Sequence, residues 1–417
     1  MKALMFGWEF PPVISGGLGI ACHGIVQGLL DQQVEVTLVL PFLHPDQNTP
    51  ECLHEKRLQY KKALKHDESS ELIHIELVDS LLRPYCAPEQ YTFHKSNTSI
   101  SLYGSDLWSE VHRYAHEAAT IARTTNHDLI HAHDWLTILA GIEARKISGK
   151  PLIFHVHALE QDRCSQAPNP ATQAIEEQGL RQADLIITVS QYTKQRIIQT
   201  YNISPEKIAV VYNGHRATTS TSDSLPTLSR WHNDHFIVLF LGRVTEQKGP
   251  HYFIKAAEKI LSHRQDVDFI IAGEGDQLPY AIDTCARLGI SSHVHFTGFL
   301  KRDEVDKFYQ LSDVYVMPSV SEPFGIVCLE AIAHGVPVVI SKQSGVSEVL
   351  TNSLTVDYWD IDQLANKIMA LLDYPAIKKE MLQHAKRELS ELTWDVAAKE
   401  ILSYYHKMTS KSLGENI

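Results

Sequence analysis

The pattern that most limits the folds open to this chain lies in its second half, where short apolar runs and helix-length segments take turns. VDFIIAGEGDQ, HVHFTGFL, DVYVMPSVSEPFG and VPVVISKQSGV each read as a strand running into a loop, with helices expected over 250–263, 278–288, 302–311 and 325–334. Parallel strands need crossovers, so alternation of this kind selects a doubly wound parallel sheet with ligands at the carboxyl ends of its strands. The first half repeats the plan. KALMFGW (2–8) reads as a buried strand, a Gly-rich loop leads into a helix, and VEVTLVLPF completes a β-α-β unit. Further strands are expected near 128–132 and 151–156, and DLIITVSQYTKQRIIQTYNISPEKIAVVYNGH adds strand, helix and strand. Between the halves, RATTSTSDSLPTLSRWHND loses hydrophobic periodicity and fills with Ser, Thr and Asp, as a linker does. We therefore expect an α/β chain with domains at 1–213 and 235–392 and a linker at 214–234. A last amphipathic helix follows a Thr393 cap and occupies 393–417.

A length of 417 residues is enough for two or three domains, each with its own core. The formal charge of −12 disfavours nonspecific contact with nucleic acid or anionic lipid and leaves phosphate recognition to local basic pockets. No apolar run approaches a membrane span, and ALMFGW after Met1-Lys2 is too short for a secretory segment. Cys22, Cys52, Cys86, Cys164, Cys285 and Cys328 are scattered without paired spacing, which points to neither a disulfide framework nor a zinc site. A reducing cytoplasm is the expected home.

Chemistry concentrates in residues 319–350, SVSEPFGIVCLEAIAHGVPVVISKQSGVSEVL. Pro318 and Pro323 delay a helix that Phe324-Gly325-Ile326 then open, so their amides form the positive end of a helix dipole suited to phosphate. Glu322 lies just before that end. Glu330 lies inside the helix and leans back toward it. A diphosphate between two acids needs cations from elsewhere, and FLGRVTEQKG supplies Arg243 and Lys248 on the loop after a strand. An ordinary helix cap with a solvated second-turn Glu is the plainer alternative.

Taken together, EPFGIVCLEAIAHGVPVV with the Glu322/Glu330 pair, Arg243 and Lys248 resembles the signature of retaining nucleotide-sugar glycosyltransferases of the GT-B fold. That group holds family 4 and the glycogen and starch synthases. The resemblance runs through nearly the whole chain. It implies two Rossmann-like doubly wound domains facing a central cleft, with the C-terminal helix crossing back to the first domain. It also implies a nucleoside diphosphate sugar as donor, carrying UDP, ADP or GDP, and a carbohydrate or other hydroxyl acceptor. Glu330 would take the ribose hydroxyls, while Arg243, Lys248 and the amides of Phe324, Gly325 and Ile326 would take the diphosphate. Glu322 would bind the transferred hexose and steady charge at its anomeric carbon. Fixed positive charge would do the work of a divalent ion, so no metal is required.

The Gly-rich loop after the first strand leaves a choice. Gly16, Gly17, Gly19 and Gly24 do not fit a dinucleotide fingerprint, and no acid ends the second strand to hold a ribose, so an NAD-dependent dehydrogenase is disfavoured. A structural turn is one reading. The resemblance implies another, with Gly16 and Gly17 bringing backbone amides to the donor phosphate. Bacterial glycogen and starch synthases carry a Lys two residues before the first of these glycines, and here Ile14 stands in its place.

His131, His133, His155 and His157 fall on two expected strands, where a metal cluster competes with satisfied core histidines. The resemblance assigns His157 to the donor sugar and sets Asp134 near acceptor and hexose. Asp266-Val267-Asp268 and Asp360-Ile361-Asp362 form D-x-D, a metal motif of another glycosyltransferase fold, yet both sit where a structural role is expected. HEKRLQYKKALKHDESSE reads as a solvated helix face, with a membrane-surface or acceptor patch as the other reading. Tyr103, Trp108 and Tyr114 are candidates for core or for sugar platforms. The glycogen-synthase-like stretches at 103–124 and 131–157 point to glucosyl transfer to a glucan, and Ile14 points away from it. Rival activities are a nucleotide-sugar epimerase or hydrolase, a phosphorylase with lysine-bound pyridoxal, and a noncatalytic sugar-nucleotide binder.

Overall fold

A computed structural model describes residues 1–12, 14, 16–42, 50–64, 71–80, 107–163, 168–215 and 235–414. Tyr103 and almost all of the expected linker lie outside the described residues. The chain divides into two compact units, one made of Met1–Glu160, Pro168–Gly214 and Trp394–Ile417, the other of Gln161–Ala167 and His215–Thr393.

In the first unit the elements run β1 (Lys2–Phe6), α1 (Gly17–Asp31), β2 (Glu35–Phe42), α2 (Pro50–Ala63), β3 (Ile73–Asp79), α3 (Leu107–Thr120), β4 (Leu129–His133), α4 (Trp135–Ser148) and β5 (Leu152–Val156). After the short α5 (Glu160–Arg163), which passes into the second unit at Gln161, come α6 (Pro170–Gln182), β6 (Leu185–Thr188), α7 (Gln191–Tyr201) and β7 (Ile208–Val210). The strands pair in parallel in the order β3-β2-β1-β4-β5-β6-β7. Helices on both faces leave the central strands no wet side, and β4 and β5 are buried at every residue. Chain order reverses between β1 and β4, so the loops after those strands, holding Gly16-Gly17 and Asp134, flank the switch point.

The second unit runs β8 (Phe236–Leu241), α8 (Pro250–Leu261), β9 (Val267–Ala272), α9 (Leu278–Arg287), β10 (Val294–Gly298), α10 (Arg302–Leu311) and β11 (Val314–Met317). It continues through α11 (Ile326–Ala333), β12 (Val338–Ser341), β13 (Leu354–Val356), α12 (Ile361–Asp373) and α13 (Pro375–Glu391). Its parallel sheet has the order β10-β9-β8-β11-β12-β13. The switch point falls between β8 and β11. That places the Arg243–Lys248 loop beside the Ser319–Gly325 loop.

The last helix, α14 (Trp394–Gly414), belongs to the first unit and packs along α1. Bare backbone makes the contact: a Cβ at Gly24 would lie 2.1 Å from the Trp394 ring, and one at Gly28 would lie 2.6 Å from the Ala398 Cβ. Further along, Tyr405 is fully buried and faces His131 across 2.5 Å. The mixed-charge segment lies in α2 as far as Ala63, with Tyr60 in the core and Arg57 ion-paired to Glu76 at 2.7 Å, and its residues 65–70 lie outside the described residues. Tyr114 is core rather than platform, fully buried with its hydroxyl 3.2 Å from the Gly7 carbonyl.

Candidate active site

In the second unit the site grows from a glycine. Gly249 ends the short turn Glu246–Lys248 in the left-handed region, at φ +69°, and a Cβ there would lie 2.2 Å from the Pro318 carbonyl oxygen. The post-β8 loop can therefore press on the post-β11 loop. The Val320 amide donates to the Gln247 carbonyl at 2.8 Å, and Gln247 Nε2 donates to the Ser321 carbonyl at 3.1 Å. Across this seam Lys248 Nζ forms an ion pair with Glu322 Oε2. Arg243 joins through Gln247, its guanidinium donating to Oε1 at 3.2 Å.

The strand-to-helix loop is pinned from the far side as well. Glu322 and Ser344 form a parallel bridge, with the Glu322 amide donating to the Gln343 carbonyl at 2.9 Å and the Gly345 amide donating back at 2.9 Å. Gly325 caps α11 at φ +110°, where a side chain would be strained and would crowd Met317 and Val346 at 3.1 Å. Beyond it, Glu330 is 6% exposed and its Oε1 accepts from Arg302 at 2.6 Å. Burial disfavours the Arg302 cation, yet the Glu330 carboxylate outweighs burial and raises its pKa. Arg302 was not singled out from the sequence. It sits among Lys301, Asp303 and Glu304, where mixed charge at a helix start looks like solvated surface.

Burial, then the Glu322 charge, pushes the Cys328 thiol well up, so it stays protonated and is no nucleophile. The Asp162 carboxylate accepts from the Ser321 hydroxyl at 2.7 Å, another contact that no motif announced.

The first unit gathers the other candidates. Asp134 follows β4 at φ +57°, and its Oδ1 accepts from the amides of His157 at 2.7 Å and Ala158 at 3.3 Å. A non-glycine residue held in that region marks a position fixed by its surroundings. His131, His133, His155 and His157 are all buried and stack, because residues of one parity on adjacent strands share a face. Two ring-to-ring hydrogen bonds close the stack: His131 Nε2 to His155 Nδ1 at 3.2 Å, and His133 Nδ1 to His157 Nε2 at 2.9 Å. One nitrogen of each pair must donate and the other accept, which neutral rings satisfy. Burial holds the pKa values of His131, His133 and His155 well below 6.5. Cys22 can approach His133 and His157, but burial and then Glu9 keep its thiol protonated.

Gly16 precedes α1 and donates its amide to the Glu9 carboxylate at 2.8 Å. A Cβ at Gly17 would meet nothing within 4 Å, so packing does not require glycine there. The structure thus pairs Lys248 with Glu322, links Arg243 to them through Gln247, and sets both on the loops bordering Phe324-Gly325-Ile326. Glu330 lies within the same helix. In the first unit it joins Asp134 to His157 and leaves Gly16-Gly17 at a helix start.

Two doubly wound parallel α/β units, each with its candidate residues at a switch point, define the GT-B class. The family model for glycosyl transferases group 1 matches residues 227–388, and that for glycosyltransferase family 4 matches 15–217. The chain belongs to the group 1 glycosyltransferases of family 4. It is similar to an uncharacterised glycosyltransferase of Methanocaldococcus jannaschii, 29% identical over 99% of this chain and 100% of that one. A glycogen synthase of Mycobacterium tuberculosis is 26% identical over 97% of this chain and 94% of its own. HepE of Anabaena, solved with UDP and glucose, superposes with a TM-score of 0.71 at 21% identity, covering 98% of this chain and all of that one. No helix among the described residues is long and apolar enough to cross a membrane.

Proposed function

We propose that this glycosyltransferase transfers a hexose, glucose first among the candidates, from a nucleoside diphosphate sugar to a glycan or other hydroxyl acceptor, with retention of configuration. The observation that carries the reading is the Lys248–Glu322 ion pair beside the opening of α11, with Arg243 tied to the same loop. In this reading the donor diphosphate draws Lys248 and Arg243 toward itself and rests against the amides of Phe324, Gly325 and Ile326. Negative charge that grows on the departing diphosphate then meets cations and a helix end already in place. Glu322, relieved of Lys248, binds hexose hydroxyls and opposes positive charge at the anomeric carbon. Glu330 keeps one oxygen on Arg302 and offers the other to the ribose.

On the acceptor side, taken as residues 1–213 with the last helix, Asp134 fixes the backbone that presents His157 to the donor sugar. Gly16-Gly17 supplies further amides to the phosphate, with Gly17 and its neighbours the better placed because Gly16 already serves Glu9. Attack from the face the leaving group departs gives retention, since Cys328 stays protonated and Glu322 is occupied by the hexose hydroxyls. No metal is needed in this scheme. The similarity to a glycogen synthase and to HepE, solved with UDP and glucose, supports glucose, and buried, unpaired Cys22, Cys285 and Cys328 suit a reducing cytoplasm.

The test is a thermal-shift panel of UDP-, ADP- and GDP-hexoses on the purified full-length protein, followed by NMR of the product made with glucan oligosaccharides. A ligand at a hundred times its Kd stabilises by about 2.7 kcal/mol, a readable shift. An α-linked product from an α-linked donor is expected. Donor isomerised or hydrolysed without acceptor turns the assignment to an epimerase or hydrolase. Binding without any turnover leaves a noncatalytic binder.

A further inference from the structure

The second sheet carries a second group of titratable side chains where its strands begin, at the edge opposite the loops that hold Lys248 and Glu322. His235 immediately precedes β8, Asp268 is the second residue of β9, and His293 and His295 bracket the first residue of β10. The register sets Ile237 against Asp268, Phe269 against Val294 and Ile270 against His295. Paired residues share a face and faces alternate, so all four side chains project from the same side. The rings of His235 and His293 lie 6.0 Å apart and within 13° of parallel. From Asp268, Oδ2 is 3.2 Å from His235 Nδ1, while Oδ1 is 3.3 Å from His293 Nδ1 and 3.6 Å from His295 Nε2.

We propose that His235, Asp268, His293 and His295 form a binding site for a divalent transition-metal ion of zinc type, clasping the starts of β8, β9 and β10. Imidazole nitrogens with one carboxylate are a donor set such ions favour over magnesium or calcium. Ligand bonds of about 2.0–2.1 Å in a tetrahedron put neighbouring donor atoms roughly 3.4 Å apart. The separations of 3.2, 3.3 and 3.6 Å surround that value, and they exceed those of short charge-assisted hydrogen bonds, about 2.7–2.9 Å. Ligand atoms of His235, Asp268 and His293 all lie within 4.8 Å of one another. Arg264 does not answer the Asp268 charge, because it is bound by Asp266 at 2.7 Å and Asp373 at 2.6 Å. Side-chain exposures of 34% for His235, 25% for His295 and 14% for Asp268 leave an ion a way in. Binding asks His293 to turn a lone pair, rather than an N–H facing the Val267 carbonyl at 3.2 Å, toward the ion. A hydrogen-bonded cluster of imidazoles around one acid is the competing account.

The experiment titrates Co²⁺ into tag-free, chelator-stripped full-length protein and follows visible absorption, with Zn²⁺ as competitor. One equivalent should give the intense bands of a tetrahedral site, and Zn²⁺ should abolish them. In Asp268→Asn and His293→Gln the affinity should fall by at least about tenfold, the smaller end of what losing even a ligand's outer partner costs. His235→Gln, changed at a position outside the strand, guards against a folding defect, and circular dichroism of each variant checks it. Absence of tetrahedral bands, or bands undiminished in Asp268→Asn and His235→Gln, overturns the proposal.

Discussion

Lys248 owes its place to the residue after it. Gly249 is the one side-chain-free position that lets the post-β8 loop touch Pro318, and the ion pair with Glu322 follows from that approach. If Lys248 acts mainly on the leaving group, Lys248→Ala should lower kcat by about 10²–10³, or roughly 3–4 kcal/mol, with circular dichroism and melting temperature little changed. A purified variant with near-normal turnover would place the diphosphate elsewhere. Glu330 makes a separate case, since its charge-assisted bond to Arg302 leaves an oxygen for a ligand hydroxyl. Loss of a hydrogen bond to a charged group costs about 1.5–3 kcal/mol, so Glu330→Gln should weaken donor binding roughly ten- to a hundredfold. Calorimetry with the nucleotide sugar reads this directly, and an unchanged Kd removes the ribose assignment.

Among the elements, the junction of α1 and α14 is the most sensitive to a single methyl group. A Cβ at Gly24 would sit 2.1 Å from the buried side of Trp394, and neither helix can retreat without uncovering Ala398, Ile401 and Tyr405. Alanine in a helix gains up to about 1 kcal/mol over glycine, but overpacking costs about 1–3 kcal/mol. Gly24→Ala should therefore destabilise the first unit, lowering its denaturant midpoint at unchanged m-value; a raised midpoint would mean the helices separate easily. The sequence announces these elements well, because strands buried on both faces and amphipathic helices leave periods that survive in a single chain: β8 to β12 and their helices fall within a few residues of the spans expected. That Lys248, Glu322 and Phe324-Gly325-Ile326 lie on loops after strands was legible for a related reason, since the same periods mark where β8 and β11 end. The Arg302–Glu330 pair, the Gln247 seam and the Asp134 clamp were not. Each joins residues from different loops, and which loops meet depends on strand order, which alternation alone leaves open. The histidine stack shows the same gap, for parity put His131 and His133 on one face, but only the β4-β5 register brings His155 and His157 alongside.

For the molecule as a whole, two cores stand behind two chemistries of charge. An overall −12 keeps the surface acidic, whereas the local cations Lys248, Arg243 and Arg302 sit where a diphosphate sugar is proposed to bind. Stability should follow the neutral histidines instead. Burial lowers the pKa values of His131, His133 and His155 far below 6.5, with neighbouring rings adding to it, and lowers His127 and His251 as well. A histidine whose folded pKa is depressed binds its proton first in the unfolded chain, so protonation favours unfolding. Stability is then full above the unfolded value of about 6.5 and falls as pH drops toward the folded values, by up to ~1.4 kcal/mol per pH unit for each such ring. Melting temperatures between pH 8 and pH 5 should accordingly be flat at first and then fall steeply. His155→Gln, which cannot take up a proton, should be less stable at pH 8 yet show a shallower fall below pH 6.5. An equal slope in wild type and variant would mean that the stack is not held neutral, and that the acid sensitivity arises in other groups.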